Sequence, residues 1–387
     1  MGDVAGIESA RAYPVGDFAA DLLTELRAHG HGQAVFEPTG FVVDDVADQG
    51  VLLVDRLFRE LQNTPDGQRR ETMAARLEAA LTPLPQQFAE VQPLLRSVLR
   101  PAGFTAAVTS PARRPWLRQL WPFIHELAVV ETGPARRVVT DRDTERWGVG
   151  GEQLLAAARA NIAALYPAQR QPEKVGHLLG DGTTYCDSAV LVPGWLGGFA
   201  GDGYRPLVFF PGDEVLLVCT DDPAVAPAFF AGAESVYRDA VVPISPQAYT
   251  IVGNTIVPLD AAGPSPLRPL AVRARSVLAA TEYQLQADRL QGSDGTGAVQ
   301  LIDTPRGLCT LTVWGQGSGW LLAETDYVML VAADQSDHFT VPFGVLADIV
   351  GLVPAPAMIP ARYPVTDWPP ADTVETLRAH AVSLPGL

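Results

Sequence analysis

The chain is poor in lysine and cysteine and lacks a long uninterrupted hydrophobic run, and each shortage excludes something. Lys174 is the only lysine among 28 basic residues. Lysine-dependent cofactor chemistry therefore has almost no candidate, and no cofactor is expected. The three cysteines, Cys186, Cys219 and Cys309, are odd in number and far apart. No C-x-x-C occurs, so neither a zinc ribbon nor a dithiol redox pair is written here. Cys219 ends the apolar run Val215-Leu-Leu-Val-Cys219, where a buried thiol behaves as a small hydrophobe. Unpaired thiols suit a reducing compartment, so a cytoplasmic location is expected. Met1 to Ala10 holds acids but no basic and apolar leader pattern, so no signal peptide is expected. The most apolar stretch, Phe339 to Ala361, contains Asp348 and prolines at 342, 354, 356 and 360. That pattern predicts a short buried helix and an extended arm, not a membrane span.

What is present is a chain of 387 residues, 47% apolar, with a formal net charge of -16. It is long enough for two or three domains with cores of their own. The charge is uneven: from Asp181 to Pro264 there are ten acids against Arg205 and Arg238, a net of -8. Such a surface repels phosphate backbones and anionic lipid, so neither nucleic acid nor membrane is an expected partner. The acids read either as a solvated face that aids solubility or as a steering surface for a basic partner. Asp202 and Asp213 are its candidate partner-binding residues.

The pattern along the chain predicts an α+β protein in three parts: 1–85, 94–262 and 270–387. In the first part, Asp17 to Arg27 has Phe18, Leu22, Leu23 and Leu26 at helical spacing. Two short strands flank Glu37-Pro-Thr-Gly40, and Val51 to Leu61 and Arg70 to Leu81 read as helices. The central part is expected to hold a mixed or antiparallel sheet. Its strands are Glu126 to Glu131 and Arg136 to Thr140, and its clearest helix is Gly151 to Tyr166. Two hairpins follow. One turns at Pro211-Gly-Asp213, between Leu207 to Phe210 and Val215 to Cys219. The other turns at Gly253-Asn254, between Ala248 to Val252 and Thr255 to Leu259. Between them Asp222-Pro223 predicts a helix start, running to about Tyr237.

Several of these residues carry a resemblance. Val139-Thr-Asp-Arg-Asp-Thr-Glu-Arg-Trp-Gly-Val149, Gly151-Glu-Gln-Leu-Leu155, Asn161-Ile162 and Leu165 open the series. Asp187-Ser188, Leu191, Pro193-Gly-Trp-Leu196 and Pro206-Leu-Val208 continue it. It runs on through Pro211-Gly-Asp213, Asp221-Asp-Pro223, Tyr237-Arg238, Pro243-Ile-Ser-Pro246 and Tyr249. Their order and spacing resemble the YtpQ-like bacterial proteins over roughly residues 10–262. That resemblance implies a cytosolic α+β protein and brings no catalytic residues with it. About 120 further residues follow beyond the Pro-rich Pro264-Ser-Pro266-Leu-Arg-Pro269. They read as a β-rich part, with strands at 299–302, 308–314, 320–324 and 327–332 and an extended tail from Tyr363 to Pro370. Gln291 to Gly297 reads as a flexible loop.

The chemistry-bearing candidates each have a plain alternative. Gly315-Gln-Gly-Ser-Gly319 could cradle phosphate, but strands are predicted on both sides and no Gly-Lys-Ser/Thr follows, so a hairpin turn is the expectation. Trp314 and Trp320 would then stack across it. No G-x-S-x-G nucleophile elbow is present. His29 and His31 fit a helix C-terminus better than a metal pair. His125 and His177 have no metal or triad spacing. Asp141, Asp143 and Glu145 fit helix capping, not a calcium loop. Arg113-Arg-Pro-Trp-Leu-Arg118, with Trp121, interleaves cations and indoles, as single-strand binders do. Arg113, Arg114, Trp116 and Arg118 are therefore candidate partner-binding residues; in so acidic a chain the plainer reading is a surface turn pinned by a buried Trp, or an intramolecular partner for the acidic region.

No catalytic or metal-ligating residue is therefore assigned. The leading expectation is a non-enzymatic protein that binds another protein, one with a basic surface, within a multi-component bacterial system. One alternative is an enzyme whose site lies where the central core meets the C-terminal part. Another is an inhibitor whose acids cover a basic toxin. A deep cleft with converging ionisable groups of perturbed pKa would favour the junction.

Overall fold

Residue parity along two strands explains the architecture. In β9 (Pro206–Gly212), Leu207 and Phe209 enter one core and Val208 and Phe210 another. In β10 (Val215–Thr220), Leu217 and Cys219 face the first, and Leu216 and Val218 the second. Successive strand side chains point to opposite faces, so this sheet is covered on both sides. The computed structural model describes residues 13–384, apart from 45–49, 108–113, 169–176, 180–184, 202, 291–294, 306 and 357. The fold is α+β.

The first sheet holds β1 (Val35–Glu37), β2 (Val42–Asp44), β3 (Val51–Leu53), β4 (Leu95–Pro101), β5 (Leu117–Trp121), β6 (Ile124–Val130) and β7 (Arg136–Val138). Its order is β1-β2-β3-β7-β6-β4, with β5 also on β6. The second runs β12-β11-β9-β10-β8, adding β8 (His177–Leu179), β11 (Pro243–Val252) and β12 (Thr255–Pro258). One face of each sheet meets the other in a shared core around Val98, Leu127, Val208, Phe210 and Tyr249.

Helices cover the outer faces. α1 (Val15–Ala28), α2 (Asp55–Gln62) and α3 (Asp66–Leu81) pack around Phe18, Phe58 and Leu77. The short α4 (Phe88–Val91) and α6 (Gly151–Leu165) lie on Ala128 and Val130, with α5 (Asp141–Trp147) contributing Trp147. Beyond the second sheet lie α7 (Ala226–Asp239) and α8 (Arg268–Arg289). The C-terminal part has the four-stranded order β13 (Gln300–Thr304), β14 (Gly307–Gly315), β16 (Tyr327–Val331), β17 (His338–Pro342). A ribbon of β15 (Trp320–Ala323) and β18 (Arg362–Val365) joins it, with α9 (Phe343–Val350) and α10 (Ala371–Arg378).

Several expectations change. Val51 to Leu61 is not one helix. Val51–Leu53 pairs with β2 and β7, and α2 starts at Asp55. The run Val51-Leu-Leu-Val54 is apolar on both faces, as a strand buried in the middle of a sheet requires. That pairing also makes one sheet of residues from 1–85 and 94–262, so no sheet break separates those parts. The Pro-rich segment before residue 270 leads directly into α8, where Pro269 sits in the first turn, a position that needs no amide hydrogen. Leu259 and Leu267 beside it are buried. Asp222 does not cap a helix; its carboxylate accepts from Ala224 N at 2.8 Å, and α7 starts at Ala226. The turn of the first hairpin is Asp213-Glu214, one step later than expected, while Gly253-Asn254 closes the second as expected.

Gly315 to Gly319 is not a hairpin turn. β14 pairs with β16 in parallel and β15 leaves for the ribbon, because a parallel pair needs a crossover between its strands. Trp314 meets Trp368 edge-on at 5.6 Å, in place of the expected partner Trp320. The loop prediction at Gln291 falls mostly outside the described residues, but Gly295 is tied to β15, its carbonyl accepting from Leu321 N at 2.7 Å. The tail after Tyr363 carries α10, which begins after Pro370. Among the described residues no helix is long and apolar enough to cross a membrane.

Candidate functional site

The Asp213-Glu214 turn presses two acids against the first sheet. Glu214 takes a positive φ of 62° there, the left-handed conformation the tight turn demands. Asp213 Oδ1 accepts from Arg100 Nη1 at 2.8 Å, and its Oδ2 from Arg59 Nη2 at 2.6 Å and Arg136 Nη2 at 3.3 Å. Arg136 Nη2 also reaches Asp55 Oδ1 and Oδ2 at 2.7 and 2.6 Å. Glu214 pairs with Arg56 and Arg59, and the Arg56 guanidinium lies 4.0 Å from the centre of the Tyr185 ring. Burial alone would raise the Asp213 pKa, but Arg100 and Arg136 hold it well below the carboxylate range. Asp187 moves the other way, raised by burial and by the charge of Asp213. Four guanidinium groups and three carboxylates, those of Asp55, Asp213 and Glu214, thus close on one another, joining α2, β4, β7 and the second sheet.

This placement corrects the expectation for Asp213: it is an internal charge, not a surface for a partner. Much of the acidic region behaves alike. Asp221 binds Arg205 at 2.8 Å, Glu234 binds Arg273 at 2.8 Å, and Asp260 binds Arg275 at 3.2 Å. Asp202 and Arg113 lie outside the described residues. Arg114 is exposed, and Trp116 is half-buried over Gly151 at the start of α6. Arg118 donates to Glu126 and Glu152, both at 2.9 Å. Arg159 meets the same buried Glu126 bidentately at 2.6 and 2.5 Å. Arg118 is thus an intramolecular partner, but of Glu126 and Glu152, which lie outside the acidic region from Asp181 to Pro264.

The remaining motifs are local devices. His29 caps α1, its Nδ1 2.9 Å from Glu25 O. Thr140 N donates to Asp143 at 3.0 Å in a capping box, and Gly148 ends α5 in the left-handed conformation. Cys186, Cys219 and Cys309 are free and buried. Among the described residues no three metal-ligating side chains stand together.

The concave site lies elsewhere, at the junction of the β5–β6 hairpin, α8 and the C-terminal part. A cleft of about 400 Å³ is lined there by Gln119, Phe123, His125, Arg275, Tyr283, Thr310, Glu324 and Asp326, with Ile359 and Pro360. The hairpin turn Pro122-Phe123 puts Phe123 at a positive φ of 64°. Glycine fills that second turn position without strain, whereas a side chain there costs about 1–2 kcal/mol. The strain is repaid by contact: the Phe123 ring meets Tyr283 edge-on at 5.7 Å, an arrangement worth about 0.5–1.5 kcal/mol.

His125 is the least satisfied of the polar groups around this cleft. It is 3% exposed, and Nδ1 has no hydrogen-bond partner. Burial drops its pKa to about 4, so the imidazole is neutral at physiological pH. The other groups are engaged. Asp326 Oδ2 accepts from Thr310 N and Oγ1 at 2.8 and 2.9 Å, and its Oδ1 from Arg275 Nη2 at 2.5 Å. The Tyr283 hydroxyl donates to Ala361 O at 2.9 Å and accepts from Glu324 N at 3.0 Å. A second hollow, of about 530 Å³, lies between Trp121, the 190–197 turns and the Gly253-Asn254 hairpin. Its walls are mainly apolar, with Asn254 and Thr255 among them, and its Arg159 is held by Glu126.

Set beside known proteins, the chain matches no family model, no curated protein and no solved structure. The resemblance to the YtpQ-like proteins therefore stands on the quoted residues alone. Sequence reasoning named the junction but none of its lining residues. Phe123 after Pro122 was the available signal: a β-hairpin turn written Pro-Phe in place of Pro-Gly implies a ring required at that point.

Proposed function

We propose that this protein binds a small molecule in the junction cleft and acts by binding, not by catalysis. The observation that carries the reading is His125, a buried imidazole bordering a cleft of about 400 Å³ with Nδ1 unpartnered. Ligand sites of this size are built from apolar walls and a few convergent polar groups. Catalysis is disfavoured by the state of those groups. An imidazole with a pKa of about 4 is a weak base near neutrality. The Thr310 hydroxyl is already donated to Asp326, and the Tyr283 hydroxyl to Ala361. Partner binding through the acidic region loses its motive, because Asp213, Glu214, Asp221, Glu234 and Asp260 face arginines of the same chain. The three unpaired thiols, with the resemblance to cytosolic bacterial proteins, support a cytoplasmic setting.

The test is a thermal-shift screen of neutral, cationic and anionic metabolite-sized compounds on wild type and Gln119→Trp. Gln119 is exposed at the cleft wall, so the substitution fills the cleft without entering the core. Compounds that raise the wild-type melting temperature and leave the variant unmoved support the reading. Equal shifts in both proteins, or none in either, overturn it.

A further inference from the structure

We infer that the ligand of the junction cleft carries a protonated amine beside an apolar, aromatic-sized body. This rests on the cleft being the binding site. Three features of its lining point to a cation.

The first is the balance of charge. Arg275 directs Nη1 to Asp260 and Nη2 to Asp326. Arg362, buried behind Tyr283, is held by Gln286 and the carbonyls of Tyr283, Gly297 and Leu321. Of the charged residues that line the cleft itself, Arg275 stands against two acids, Asp326 and Glu324. Among the described residues Glu324 forms no ion pair; its Oε2 accepts from the Tyr363 hydroxyl at 3.1 Å. An anionic ligand would meet that carboxylate and find the Arg275 amino groups already occupied.

The second is His125. A neutral imidazole accepts an N–H at its unprotonated nitrogen, and Nδ1 of this ring has no partner. A protonated one would repel a cation, but burial keeps this ring neutral far below physiological pH. The third is the wall. Phe123 and Tyr283 present aromatic rings, whose faces attract cations, and Arg362 already lies 5.2 Å from the Tyr283 ring centre. An ammonium group near Glu324, with its apolar body against Phe123, Ile359 and Pro360, would meet the unpaired carboxylate and the aromatic wall.

Three probes of matched size separate the possibilities: 2-phenylethylamine, 2-phenylethanol and phenylacetate, titrated calorimetrically into the full chain at neutral pH. The amine is expected to bind about tenfold tighter than the alcohol, the order of a charge-assisted hydrogen bond, and phenylacetate to give no binding heat. Glu324→Gln, at an exposed position, should bring the amine down to the affinity of the alcohol at unchanged melting temperature. Gln119→Trp should abolish amine binding. The inference is overturned if the alcohol or phenylacetate binds as tightly as the amine, if Glu324→Gln keeps the amine preference, if Gln119→Trp still binds it, or if none of the three probes binds. Those results leave the binding role of the cleft to be decided by the thermal-shift comparison above. Neutral or anionic compounds that shift wild type alone would uphold the cleft and reject the amine.

Discussion

Asp213 Oδ1 and Arg100 Nη1 lie 2.8 Å apart with both side chains buried, tying the turn of the second sheet to β4 of the first. Removing the charge of Asp213 leaves the buried guanidiniums of Arg100 and Arg136 to share Asp55, which is 3.9 Å from Arg100 and 2.6 Å from Arg136. An amide of the same shape cannot neutralise them, and an uncompensated buried charge costs about 3–5 kcal/mol. Asp213→Asn is therefore expected to lose that much stability in urea unfolding. Asp239→Asn, at an exposed position, should stay within about 0.5 kcal/mol of wild type. A loss below about 1 kcal/mol for Asp213→Asn would mean that the cluster does not hold the sheets together.

Glu282 predicts a pH dependence of opposite origin. It is buried in α8, accepts from Gly103 N at 2.5 Å, and burial lifts its pKa from 4.5 to about 7. The folded state therefore holds this proton more tightly than the unfolded state does. Stability should fall as pH rises from about 4.5 to about 7 and level off above, by roughly 3 kcal/mol for a fully buried group. Asp187 acts in the same direction. Asp213 does not oppose them in that window, because its depressed pKa keeps it ionised there. Its contribution is lost only as pH falls below the ordinary carboxylate range. Glu282→Gln should match wild type near pH 5, exceed it near pH 8, and show a shallower decline between. Parallel stability curves for the two proteins would reject the assignment.

What was legible in the sequence was local. Gly253-Asn254 and the periodicity of Gly151 to Leu165 name their own structures, because turn chemistry and a buried helical face are short-range properties. Whatever depends on pairing between distant segments was not legible. Val51-Leu-Leu-Val54 becomes a strand because β2 and β7 flank it. Prolines at 264, 266 and 269 look like a linker, yet Pro269 opens a 22-residue helix. Asp213 counts as one more acid in a region of net charge -8, until Arg59, Arg100 and Arg136 arrive from 154, 113 and 77 residues away. His125 has no partner at any sequence spacing; what marks it is the cleft, which three separate parts of the chain build.

The cysteines should be chemically silent. Cys186, Cys219 and Cys309 are buried, and burial raises all three thiol pKa values, Cys219 to about 12. The thiolate is the reactive form. A colorimetric disulfide reagent at pH 8 is therefore expected to label none of them in the native protein and all three after denaturation. Fast native labelling of one thiol would show that its surroundings open far more readily than its burial implies.

Trp116 and Gly151 provide the sharpest test of local packing. A Cβ at position 151 would overlap the Trp116 ring. Helix propensity alone argues the other way, since alanine in a helix is more favourable than glycine by about 0.5–1 kcal/mol. The two effects differ in sign, so a single substitution separates them. Gly151→Ala should destabilise by about 1–3 kcal/mol, the usual cost of overpacking. With Trp116→Ala already in place, the overlap is gone and the same change should become neutral or mildly stabilising. A double-mutant cycle should return a coupling of at least about 1 kcal/mol. Equal effects of Gly151→Ala in both backgrounds would mean that the indole does not rest on α6, and that Trp116 is free for another role.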